Sequence, residues 1–245
     1  MPLTLRGAFL VASLALAHVV AAAEPVASDG ALPSASHEWS GAEYDQLGTA
    51  LRSGTVPLPR FADEAGAALL RRMTSNENLS AYRDRRVPVQ TRIRLWLPRF
   101  RGMHEVFKAY LRDVTEKGAR PGKELAALQA CLLEIGALGA DLNVEFLRTV
   151  QKDDKSAQQV AAVNKMNKVL PSLFSNAEIA LATPGFYAAG DVSKLVVAMD
   201  SALPHLKKVF TPELAVAIRG RLEADRVRLA GKDRAALERM IGELR

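Results

Sequence analysis

Apolar residues return every three or four positions through nearly the whole chain, and nothing comparable alternates by two. The series Leu125, Leu128, Leu132, Ile135, Leu142 and Phe146 shows it most clearly, with Gly139 occupying the step between Ile135 and Leu142. That spacing lays one apolar stripe along a helix, whereas a half-buried strand needs a period of two. Hairpin turns of the Asn-Gly or Asp-Gly kind are represented only by Asp29-Gly30, near the N-terminus. The chain is therefore expected to be all-α.

Capping signals mark where helices begin. Ser40 and Glu43 have capping-box spacing, with Trp39 and Tyr44 placed to staple the entry, and Gly54 supplies a stop. The same device recurs as Ser175 and Glu178, with Phe174 and Ile179 as the staple. Thr211 caps a helix with Pro212 at its first position and Glu213 near the positive end of the dipole. Together these predict about ten helices, near Gly41–Ser53, Phe61–Met73, Glu77–Arg85, Val89–Glu116, Pro121–Gln151, Asp154–Leu170, Asn176–Ala182, Val192–Phe210, Pro212–Ala230 and Lys232–Leu244. Short joints make many neighbours antiparallel, and no long linker interrupts the chain after Trp39, so one globular multi-helix domain over 39–245 is expected.

Residues 1–23 read as a secretory signal peptide: Arg6 near the start, an apolar run from Ala8 to Val20, and small residues at Ala21, Ala22 and Ala23. The run is shorter than the ~20 residues a membrane-spanning helix needs, and Glu24-Pro25 follows at once. Export to the periplasm or beyond, with no transmembrane segment left after cleavage, is the expectation. Residues 24–38 are small, polar and Pro-containing, the composition of a flexible leader. "NLS" at Asn78 fits a glycosylation sequon, which matters only in a eukaryotic secretory route.

Removing Arg6 with the signal lowers the net charge from +6 to +5. A balance of that size permits attraction to anionic lipids or cell-wall polymers without specifying either. Cys131 is the single cysteine, so no intramolecular disulfide supports the fold. It lies in an apolar helix with no neighbouring cation to lower its pKa, which predicts a buried, unreactive thiol.

The stretch from Arg83 to Arg101 sets seven arginines against Asp84, with Trp96 and Phe100 among them. At 100° per residue, Ile93, Trp96, Leu97, Phe100, His104, Phe107 and Leu111 share one face. Arg92 and Arg99 lie on one border of it; Arg94, Arg101 and Lys108 lie on the other. The far side carries Leu95, Gly102, Val106 and Ala109, so the helix should pack on more than one side. Base stacking would need outward-facing aromatics, so nucleic acid is not the expected partner. Border arginines are expected to lay their methylenes on the core and keep their guanidiniums in water. Arg94, Arg101 and Lys108, repeating every seven residues, form the best candidate edge for an anionic ligand. Pro98 either kinks this helix or starts a new one after a break near Leu97.

Motifs for familiar chemistries are missing. His104-Glu105 lacks the second histidine of H-E-x-x-H, and no G-x-S-x-G, S-x-x-K, Walker loop, C-x-x-C or C-x-x-C-H occurs. No metal and no cofactor is expected. His104 points with the apolar face and reads as a core histidine; His205, near a helix end, suits the dipole. Glu134, Asp141 and Glu145 recur along one helix side with Arg148 and Lys152, the pattern of a solvated face. Gly136, Gly139 and Ala140 leave room for a close helix neighbour, or for a ligand slot. The sequence thus points to an exported, non-enzymatic helical protein that binds an envelope protein or anionic ligand. The alternative is a hydrolase of envelope material using carboxylates such as Glu134 and Asp141.

Overall fold

The computed structural model describes residues 39–75, 79–118, 122–149 and 157–245, and these are predominantly helical with no strand among them. The helices are α1 (Gly41–Ser53), α2 (Glu64–Met73), α3 (Ser80–Arg83), α4 (Val89–Lys117), α5 (Lys123–Thr149), α6 (Ala157–Ala182), α7 (Ala189–Leu206), a 3-10 turn (Lys207–Val209), α8 (Pro212–Arg226) and α9 (Gly231–Glu243). The expected signal peptide, the leader and Asn78 lie outside the described residues. Two compact units divide at Leu132 and Leu133, inside the continuous helix α5 rather than at a linker.

In the unit up to Leu132, α1 starts as its sequence predicts. The Ser40 hydroxyl accepts from the Glu43 N–H, the Glu43 carboxylate accepts from the Ser40 N–H at 2.8 Å, and Gly54 closes the helix in the left-handed region at φ 73°. Trp39 meets Tyr44 edge-on, 5.1 Å between ring centres. α1 then packs along α4 at very short range. A Cβ on Gly102 would stand 2.1 Å from the Tyr44 carbonyl, and one on Gly48 would stand 2.6 Å from the Gly102 oxygen. Only glycine lets the two backbones approach this closely.

α4 is one helix with Pro98 inside it. Proline offers no N–H to the Arg94 carbonyl, and the helix continues through that gap, with the Pro98 Cβ lying 3.0 Å from where a Cβ on Gly41 of α1 would stand. Trp96, Phe100 and Phe107 are buried, as the periodicity requires, and so are Gly102, Val106 and Ala109 on the far side. Leu95 departs from that expectation and is half exposed.

In the unit from Leu133, the largest departure is α6. The sequence predicts a helix ending at Leu170 and another starting at Asn176; the structure has one helix through both, with Pro171 inside it. Ser175 and Glu178 therefore form no capping box. Leu170, Leu173, Phe174, Ala177, Ala180 and Leu181 are all buried at helical spacing. Burial of a Leu or Phe side chain is worth about 1.5–3 kcal/mol, so this run outweighs the ~3 kcal/mol of an interior proline and the local gain of a cap. Gly136 receives the side chain of Leu173, whose Cδ1 would lie 2.3 Å from an added Cβ. The Thr211 cap forms as predicted, accepting from the Leu214 N–H at 3.2 Å, with Pro212 opening α8.

Candidate functional site

The arginines of α4 divide into two groups. Arg92 and Arg99 are buried, which corrects the expectation that they frame the core with their heads in water. Local acceptors and ring faces make the difference. Arg92 donates through Nε to the Val87 carbonyl at 2.9 Å and through Nη1 to that of Tyr82 at 3.5 Å. The Arg99 guanidinium carbon lies 4.8 Å from the Tyr44 ring centre and 5.7 Å from that of Tyr82. Cation–π attraction of this kind strengthens as water is removed. Burial pushes the Tyr44 phenol up to about 12, with Arg99 opposing the shift.

The other border becomes a seam between α1 and α4. Arg94 is exposed. Arg101 donates to Asp45 at 2.8 Å, and Lys108 to Glu105 at 2.7 Å. Glu105 also lies 3.6 Å from Arg52, and Arg112 donates to the Arg52 carbonyl. The seam therefore brings four cations, Arg52, Arg101, Lys108 and Arg112, around two carboxylates, Asp45 and Glu105, and exposed Arg94, seven residues before Arg101 on the same border of α4, makes a fifth at its end. Its chemistry is that of a net cationic groove edge, able to attract anions over a Debye length of about 8–10 Å. Three of its cations, Arg52, Arg101 and Lys108, are already held by acids, and Arg94 and Arg112 are exposed to an incoming anion.

The remaining candidates separate. His104 is buried beside Phe100, and burial lowers its pKa to about 3, so it stays neutral. Cys131 is buried, with a long 3.9 Å contact from Sγ to the Met73 carbonyl. Asp141 is bridged by His205 Nδ1 at 2.7 Å and by Lys208 Nζ at 2.6 Å, tying α5 to the end of α7 and the 3-10 turn. His205 thus has a side-chain partner that its position alone did not suggest. Glu134 and Glu145 are partly exposed on α5, and Arg148 is exposed. Among the described residues, no three His, Cys, Asp or Glu side chains gather closely enough to hold a metal ion.

Sequence reasoning missed Arg52, Asp45 and Arg112 as members of the seam. A signal was present: Gly41 and Gly48 repeat every seven residues on α1, and the Cβ positions of both point at α4. That repeat marks the face of α1 that lies against α4 and so places Asp45 and Arg52 beside it. Also missed was the burial of Glu178, whose spacing from Ser175 reads as a capping box, and of Asp225, which carries no local pattern.

Fold and site define a class, an all-helical protein with a net basic seam between two helices. No family model matches this chain, and no match is found among the curated proteins or the solved structures.

Proposed function

We propose that the chain is an exported, non-enzymatic helical protein of the cell envelope that binds an anionic ligand or an anionic partner surface along the α1–α4 seam. The observation that carries this reading is the excess of cations there, five against two, with Arg94 exposed at its end. Export rests on the composition of residues 1–23, and an intact-mass measurement of protein from its source tests it by the loss of those residues.

The hydrolase reading has less support. Seven residues of helix separate Glu134 from Asp141 by about 10.5 Å along the axis. That exceeds the roughly 5–9.5 Å between the carboxyls of glycosidases. Both oxygens of Asp141 are also engaged by His205 and Lys208.

Salt titration of binding to phosphatidylglycerol vesicles and to an anionic envelope polymer tests the seam. Arg94→Glu should weaken binding about tenfold without moving the unfolding midpoint, and Arg94→Ala/Arg101→Ala should weaken it further. Unchanged binding by both variants would remove the seam from any recognition role.

A further inference from the structure

In the unit from Leu133, α8 packs on α6 and the joint is tied at two levels. At the first, Glu178 of α6 is 1% exposed, and its Oε2 accepts from Arg221 of α8 through Nε at 3.2 Å and Nη2 at 2.7 Å. Its other oxygen, Oε1, is buried with no hydrogen-bond partner. One turn further along both helices, Arg228 donates to the Ala182 carbonyl of α6 and pairs with the buried Asp225 of α8.

We propose that Glu178 makes the α6–α8 joint a proton-controlled latch, in which the protonated carboxyl holds α8 on α6 below neutrality and ionisation loosens it above. A buried carboxylate with one bare oxygen loses hydration that a single ion pair does not restore, and Arg221 is itself about half exposed. The neutral acid escapes most of that cost. The charge acting on Glu178 is that of Arg221. The elements packed against α6 carry further charged groups: on and just after α8, Glu213, Arg226 and the pairs Arg219–Glu223 and Asp225–Arg228; on α7, Asp191–Lys194, Asp200 with Arg239, and His205, which with Lys208 holds Asp141; and in the 3-10 turn, Lys207 with Glu243.

Burial raises the carboxyl from 4.5 to about 7 in the docked state, with the Arg221 bond opposing the shift. When α8 is released the group returns toward its ordinary value, so the docked state binds the proton more tightly. Release is then favoured by up to about tenfold per pH unit between the two values and changes little above both.

Hydrogen exchange of the full chain at pH 5.5 and 8.0, corrected for intrinsic rates, reads this directly. Protection of α8 amides should fall more than about tenfold at the higher pH while that of α4 holds. In Glu178→Gln the fall should vanish. A carboxyl-carbon resonance titration of Glu178 in the unaltered protein should show a midpoint near 7, and it decides the matter if the variant does not fold. Equal α8 protection at both pH values, an undiminished fall in Glu178→Gln, or a carboxyl midpoint near 4.5 would each overturn the latch.

Discussion

Among the described residues between Trp39 and Leu132 the most deeply buried charged side chain is a guanidinium, Arg99, whereas among those between Leu133 and Arg245 it is a carboxylate, Glu178. The two are solvated in different ways. Arg99 lies over the faces of Tyr44 and Tyr82, and a guanidinium keeps its charge at any pH the protein survives. Glu178 has one ion pair and one bare oxygen, and it can discard its charge by taking a proton. One unit therefore holds a permanent interior charge and the other a titratable one, so their stabilities should respond differently to pH and to substitution.

The largest expected effect tests how tightly the first unit is built. Gly102→Ala places a methyl 2.1 Å from the Tyr44 carbonyl, in backbone that cannot move aside cheaply. It should cost more than about 3 kcal/mol, read as a shift in the urea midpoint. A loss below 1 kcal/mol would mean that α1 and α4 are not so closely apposed.

Arg99→Ala should cost roughly 2–3 kcal/mol through lost ring contacts and the space left behind, and Arg99→Lys should recover little of it. Because a guanidinium is charged throughout this range, either loss should be the same at pH 6 and pH 8. A loss confined to one pH would show that Arg99 acts through a titrating neighbour and would break the contrast with Glu178.

The second unit supplies the pH effect. Glu178 has a folded value near 7 and an ordinary value of 4.5, so its contribution is greatest below 4.5 and is lost as the pH rises through 7. If the unit unfolds as a whole, its stability should drop by about 1.4 kcal/mol from pH 6 to pH 8, and Glu178→Gln should remove that drop. A rise in stability over the same window would reverse the sign and place the ion pair with Arg221 above desolvation.

Smaller effects separate local from tertiary determinants. Ser40→Ala removes one half of the α1 capping box and should cost about 1 kcal/mol by thermal melting. Gly220→Ala on α8 meets open space, in contrast to Gly102, and should stabilise by roughly 0.5–1 kcal/mol. A destabilising Gly220→Ala would mean that the exposed face of α8 is covered.

Local chemistry in the sequence was enough to determine the helical class, the start of α1 at Ser40, the stop at Gly54, the start of α8 at Thr211, and the burial of Trp96, Phe100, His104 and Cys131. Each depends on contacts within a few residues or on a stripe of 3.6-residue period, which a linear reading captures. Arg94, Arg101 and Lys108 were also legible as one border of α4, but the acid of Arg101 comes from α1 and that of Lys108 from the preceding turn of α4. Only tertiary structure decided that Arg92 and Arg99 go inside, that Ser175 and Glu178 sit in mid-helix, and that Asp141 meets His205 and Lys208. In each of those cases the partner lies on another element or in an adjoining loop. Whether a charge is buried, or a proline spanned, depends on what that partner offers in place of water, and spacing along one helix carries no record of it.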